Sequence, residues 1–144
     1  MEAVVLCGVQ GSGKTTFYVE RFLHTHVRIS LDLLRTRHRE ALVLGACLEG
    51  GQRFVVDKVN HTAAERRRYV EPARAAGFLV IGFVLEVDAA DALARNALRP
   101  PERRVPVTAI LGTRKRFEPP RLEEGFDALH RVRASGGGFA VEDA

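Results

Sequence analysis

The sequence predicts an α/β fold, a parallel sheet flanked by crossover helices, on two observations. Strand-like apolar runs alternate with helix-like segments along the 144 residues, and the first apolar run feeds straight into a glycine-rich loop that opens a helix. The strand-like runs are Ala3 to Cys7, His26 to Ser30, Arg53 to Val56 and Phe78 to Leu85, with a last short strand over Ala128 to Val132. The helical segments are Lys14 to His24, Leu33 to Leu48, Ala63 to Ala76, Ala89 to Leu98 and Val107 to Phe117. Thr62 followed by Glu65 has the spacing of a capping box, and Gly77 is a natural C-terminal stop. Ser135-Gly136-Gly137-Gly138 reads as the start of a flexible tail, so the expected organisation is one domain over 1–134 and a tail over 135–144.

Composition bounds the function classes. An apolar content of 46% and a charged content of 28% are ordinary for a soluble globular chain. No apolar stretch reaches the ~18 residues of a membrane span, and the N-terminus has no basic segment followed by a signal-like apolar one. A cytoplasmic protein with no membrane role is expected. Cys7 and Cys47 read as two separate small thiols, and no Cys/His spacing suits a metal. The net charge of +4 is carried largely by arginine, the only lysines being Lys14, Lys58 and Lys115. Arginines gather at 66–68, at 95, 99, 103 and 104, and at 114 and 116. A polyanionic partner would account for such clusters, and so would solvated helix faces.

The glycine-rich loop, GVQGSGKT over Gly8 to Thr15, fits the phosphate-binding pattern G-x-x-x-x-G-K-[ST] in the strand-loop-helix setting that the pattern requires. Glycines at 8, 11 and 13 permit a tight turn whose N–H groups converge on phosphate oxygens at the start of a helix. Lys14 adds a positive charge near the β and γ phosphates, and the Thr15 hydroxyl can ligate Mg²⁺. A nucleoside triphosphate is the expected ligand, with Gly11, Ser12, Gly13, Lys14, Thr15 and Thr16 around its phosphates.

Three further sites are placed by their position at strand ends or in a turn. Asp32, in Ser30-Leu31-Asp32-Leu33-Leu34-Arg35, stands on the rim that a doubly wound sheet gives to its ligand crevice. Its three-residue spacing to Arg35 would put both on one helical face, although an N-cap role for Asp32 fits the spacing as well. Asp57 ends an apolar strand begun by Arg53, as expected of an acid that orients Mg²⁺ directly or through water, and Asn60 could bond that acid or a substrate. Arg95 and Arg99 lead into the proline-marked turn Pro100-Pro101-Glu102-Arg103-Arg104-Val105-Pro106, the composition of a short arginine-rich lid or of a solvated connector.

Together these motifs resemble the P-loop polynucleotide 5′-kinase family, which includes the kinase modules of bacterial and phage RNA end-healing enzymes and of the animal DNA-end repair kinase-phosphatase. The likeness runs to about Leu129. It is carried by GVQGSGKTTF, by Ser30, Asp32 and Arg35, by Asp57 and Asn60 with Arg66-Arg67, and by Arg95-Asn96 with Arg99 and Val105-Pro106. Arg116-Phe117-Glu118-Pro119-Pro120 and Glu123-Glu124-Gly125-Phe126 complete it. The resemblance implies a P-loop kinase-type sheet with a short arginine-rich lid, using ATP or another nucleoside triphosphate with Mg²⁺. Lys14 and Thr15 would bind donor phosphates and metal, and Asp32 would be the general base on an RNA or DNA 5′-hydroxyl. Arg35 would grip the acceptor's neighbouring phosphate, with Arg99 and Arg95 engaging the donor from the lid.

One departure is Asp57-Lys58-Val59-Asn60, where relatives often have Thr before the asparagine; Lys58 adds a positive charge that could draw in nucleic acid. Relatives often carry a phosphatase or ligase module. The chain has no room for one, so a stand-alone kinase or a separately encoded phosphatase or ligase partner is expected. A kinase for a small-molecule acceptor and a nucleotide-dependent switch remain the alternatives.

Overall fold

A computed structural model describes residues 1–144. Its strands are β1 (Glu2–Cys7), β2 (Val27–Ile29), β3 (Phe54–Asp57), β4 (Leu79–Leu85), β5 (Ala128–Ser135) and β6 (Gly138–Asp143). Its helices are α1 (Lys14–Arg21), α2 (Leu31–Leu34), α3 (Arg37–Gly50), α4 (Ala63–Ala75), α5 (Ala89–Ala97) and α6 (Val107–Arg116), with 3₁₀ turns at Pro101–Arg103 and Leu122–Glu124. No helix is long and apolar enough to cross a membrane.

The strands form one sheet in the order β2-β3-β1-β4-β5-β6, parallel except for β6. Central β1 is apolar without a break from Ala3 to Cys7 because both its faces are covered. Ala3, Val5 and Cys7 face Tyr69, Val70 and Ala73 of α4, whereas Val4 and Leu6 face Phe17 and Tyr18 of α1. The chain leaves β1 to build β2 and β3 on one side and then crosses to β4 on the other. The order therefore reverses at β1, and the crevice opens at the carboxyl ends of β1 and β3, where the phosphate-loop pattern and Asp57 stand. Burial pushes the Cys7 thiol up to about 12, which leaves it an unreactive core group.

The expected helices at 14–24, 63–76, 89–98 and 107–117 form with ends shorter by one to three residues. Thr62 caps α4 by accepting from the Glu65 N–H, and Gly77 follows that helix at φ +82°. The expected helix over 33–48 is instead two. Leu31–Leu34 makes one turn, Arg35 takes φ +75°, and Thr36 starts α3 afresh by accepting from the Arg39 N–H at 3.1 Å. A threonine that can bond the backbone three residues on favours a new N-cap over a continuous helix.

The expected flexible tail over 135–144 is corrected by the structure. Gly136 and Gly137, at φ +55° and +81°, form the two-residue turn of a hairpin, and β6 pairs antiparallel with an extended β5. Phe139 and Val141 then pack on the α1 side of the sheet, the Phe139 ring lying edge-on to Phe17 at 5.2 Å. The glycine run is a turn rather than a linker because apolar residues return the chain to the core. Phe139→Ala should lower unfolding free energy by about 2 kcal/mol, below a fully buried phenylalanine because the ring is half-exposed. Urea denaturation would measure this, and an unchanged midpoint would mean that the hairpin contributes nothing to folding.

Candidate active site

The loop after β1 is closed by its neighbours. The Gly8 N–H bonds the Val59 carbonyl at 3.0 Å, which joins it to the chain leaving β3. Gly11 has φ +81°, and a Cβ there would lie 2.5 Å from the Ala92 carbonyl of α5, so no larger residue fits. Lys14 curls back so that its ammonium donates to the Gly8 and Val9 carbonyls at 2.8 and 3.1 Å. Desolvation lowers the Lys14 pKa to about 8; Asp57, Cys7 and Asp32 oppose the shift by charge, and Arg99 adds to it. Lys14 thus senses Asp32, Asp57 and Arg99 at once. The hydroxyl of Ser12 is buried in the loop without a hydrogen-bond partner.

Thr15, at the start of α1, donates its hydroxyl to Asp57 Oδ2 at 2.9 Å. Arg28 of β2 donates Nε to the same oxygen at 2.8 Å, and its NH2 reaches Thr15 Oγ1 at 3.4 Å. In the parallel register Arg28 faces Val55, and Asp57 lies two residues on, on the same face of the sheet as α1. The oxygen pair of Thr15 and Asp57 is hard and suits Mg²⁺. No group of three or more His, Cys, Asp or Glu side chains is placed to hold a metal. A cation at this pair would therefore complete its shell with water and ligand oxygens.

The lid segment is pinned at its base. Asn96, buried near the end of α5, donates Nδ2 to the Val105 carbonyl at 2.7 Å and accepts the Val105 N–H at 2.9 Å. Residues 97–104 are thereby a closed excursion, tightened by Arg104 Nε on the Arg99 carbonyl at 2.8 Å. Arg95 reaches the loop itself, its NH1 lying 3.4 Å from the Gly11 carbonyl. Between the loop, α5 and α6 runs a cleft of about 510 Å³ lined by Gly8, Val9, Leu85, Asp91, Arg95 and Arg133 among others.

The family model described as AAA domain matches residues 38–120, more than half of the chain. The chain belongs to this AAA-domain family. The resemblance read from the sequence holds as well: the domain is 25% identical over 137 residues to the bifunctional polynucleotide phosphatase/kinase of Schizosaccharomyces pombe, a match covering 91% of this chain. It covers 33% of that enzyme, so the chain spans about a third of its relative's length. Kti12 of Chaetomium thermophilum, solved with ADP-AlF3, superposes with a TM-score of 0.71 at 16% identity, over 91% of this chain and 88% of its own. A gluconokinase from Sinorhizobium meliloti 1021 gives 0.63 at 18% identity, over 94% and 83%. The fold is that of a P-loop kinase-like domain.

In this AAA domain the strand ends gather Lys14, Thr15 and Asp57 by direct bonds or charge, with Asp32, Arg95 and Arg99 around them. Asp32 and Arg35 are both exposed on the rim but do not share a helical face. The short α2 ends at Leu34, and the positive φ of Arg35 redirects its side chain. Asp32 is not an N-cap either, since Ser30 occupies that position.

Two expectations around β3 are corrected. Asn60 does not bond Asp57. It is buried at φ +48° and donates to the Leu6 carbonyl at 2.7 Å, tying the β3 exit to β1. Lys58 does not project toward nucleic acid but bonds the Tyr69 hydroxyl and pairs with Glu40 at 3.4 Å, burial lowering its pKa against the pull of Glu40. Of the Arg66-Arg67-Arg68 cluster, Arg66 is buried on Glu124, while Arg67 and Arg68 lie on a solvated face of α4 near Glu71 and Glu65 of the same helix. Sequence reasoning missed Arg28 and Phe139 and did not see that Asn96 staples the lid. For Arg28 the only signal is its alternation with Val27 and Ile29 along β2, and that alternation needs the register with β3 before it points at Asp57.

Proposed function

We propose that this domain is a polynucleotide 5′-hydroxyl kinase, transferring the γ-phosphate of ATP or another nucleoside triphosphate to a 5′-OH end of RNA or DNA in nucleic-acid repair. The observation that carries the reading is the common rim: Asp32 follows β2 on the strand-end edge where Asp57 ends β3 and bonds Thr15 of the phosphate loop at 2.9 Å. The match to the fission-yeast enzyme supports it. Gly11, Ser12, Gly13 and Thr16 line the phosphates, and the unpartnered Ser12 hydroxyl is a donor available to an anion. The cleft has the size of a small-molecule site, about 300 to 1,000 Å³, and takes the nucleoside.

Asp32 accepts the proton of the 5′-hydroxyl as its oxygen bonds to the γ-phosphorus and the bond to the β-phosphate oxygen breaks, releasing the diphosphate. Arg35 holds the acceptor's adjacent phosphate, which keeps the attacking oxygen in line. Lys14 moves from the loop carbonyls to the donor phosphates, and Arg95 and Arg99 close over charge that grows on the leaving group. Thr15 and Asp57 would hold Mg²⁺, directly or through water, and the ion would supply neutralisation of charge on the donor phosphates. The reaction needs no membrane and fits the cytoplasm; a phosphatase or ligase activity would prepare or consume the ends.

The test is transfer of label from γ-labelled ATP to matched RNA and DNA oligonucleotides bearing a 5′-hydroxyl, with Lys14→Ala as control. ATP consumption without labelled oligonucleotide would overturn the polynucleotide acceptor.

A pH dependence follows from Lys14. Its pKa is about 8 in the nucleotide-free protein, and bound phosphates raise it. Above pH 8 the free protein loses this proton and the complex takes it back. Nucleotide affinity should therefore be flat below pH 8 and fall by up to about tenfold per pH unit above it. Calorimetry in two buffers of different ionisation heat would read uptake of about one proton. Equal heats in both buffers at pH 9 would exclude Lys14 as the group that meets the phosphates.

A further inference from the structure

We propose that Arg28 is a resident counter-ion for the Thr15–Asp57 pair, held there in the nucleotide-free protein and exchanged for the divalent cation that arrives with nucleotide. The inference rests on the reading that this pair is the metal position. Arg28 makes two side-chain hydrogen bonds, and both go to the pair: Nε on Asp57 Oδ2 at 2.8 Å and NH2 on Thr15 Oγ1 at 3.4 Å. The Asp57 side chain is 3% exposed and the ion pair with Arg28 is its one salt bridge. A buried carboxylate without a partner is costly, so the guanidinium stabilises the site while no metal is bound.

The Arg28 contacts compete with a metal in that place. The Thr15 hydroxyl can keep its proton on Asp57 while its oxygen meets a cation, but Arg28 donates to acceptor lone pairs of both oxygens, which a cation would use. A divalent cation drawn to those two oxygens meets a positive fork lying across both, and the two charges repel in a part-buried setting. Arg28 can leave. Its side chain is 24% exposed, and no bond outside the pair restrains it. Exchange would keep Asp57 neutralised at every stage and make the departure of Arg28 report the arrival of a complete metal-nucleotide complex.

The test follows the Arg28 Nε–H by NMR in the full chain, the signal being assigned by its loss in Arg28→Lys. It should be protected from solvent exchange in the free protein and with a non-hydrolysable ATP analogue in EDTA. Protection should disappear with the same analogue and Mg²⁺. The Mg²⁺ concentration that half-saturates analogue binding should fall roughly tenfold in Arg28→Gln, because a charge-assisted bond no longer competes. Protection that persists in the Mg²⁺ complex, or an unchanged Mg²⁺ midpoint in a folded Arg28→Gln, overturns the exchange. Asp57→Asn separates the two readings. If it leaves the Mg²⁺ dependence of analogue binding unchanged, the metal position itself is wrong and the proposal falls with it. If it weakens that dependence while the Arg28 signal stays protected, only the counter-ion role is lost.

Discussion

Asp32→Ala should abolish most phosphoryl transfer, by about 10² to 10⁴ in kcat, while nucleotide binding and thermal stability stay near wild type. The size follows from the assigned role. A group that accepts a proton in the transition state contributes there alone, so its loss appears in kcat and not in affinity for the donor. The fold tolerates the change because Asp32 is exposed on the one-turn helix α2, where Ser30 is the N-cap. Single-turnover transfer to a 5′-hydroxyl oligonucleotide, beside fluorescence titration with nucleotide, measures both halves. Transfer within a few-fold of wild type would remove Asp32 from the chemistry. Lost nucleotide binding would make it a donor-site residue instead.

Arg66→Ala carries the largest expected cost in stability. The guanidinium is fully buried, donates to Glu124 Oε1 and Oε2 at 2.7 and 3.0 Å, and reaches the Asn60 carbonyl at 2.8 Å. Removing it strands a carboxylate and opens a cavity, a loss of about 3 to 5 kcal/mol and of roughly 10 °C in Tm. Arg66→Met with Glu124→Leu should recover much of that loss, because no charge is then left unpaired. Burial would raise the Glu124 pKa, but hydrogen bonds from Arg66 and the Arg121 backbone, with the charge of Arg66, hold it below the usual carboxylate range. Glu124 therefore contributes stability that is complete above the ordinary glutamate pKa and is lost as pH falls through the lowered folded value. Calorimetric scans across the acidic range would show Arg66→Ala flattening that dependence. A mild, pH-independent change would refute the buried-pair account.

How much of the site was legible depends on whether its geometry is local. Gly8 to Thr15 is one turn of chain between a strand and a helix, and its pattern implies its shape. Asp57 was legible because it ends an apolar run. Helical spacing does not bring Asp32 and Arg35 together because Thr36 supplies a competing cap within that segment. Lys58 and Arg66 looked like free positive charge because their partners, Glu40 and Glu124, lie 18 and 58 residues away in the sequence. No periodicity within β3 or α4 carries that information.

The alternation of strands and helices, the phosphate-loop pattern, Asp32 just beyond β2 and Asp57 at the end of β3 are all written in the order of the residues. Each of these rests on hydrophobic period and backbone chemistry within about ten residues. That the glycine-rich end is a hairpin packed on Phe17, that Arg28 meets Thr15 and Asp57, and that Arg66 is buried on Glu124 follows only from the folded chain. Those outcomes turn on strand register and on which distant carboxylate shares a buried site. Burial makes an unpaired charge expensive, so the fold selects partners by position in space, which spacing along the chain does not encode.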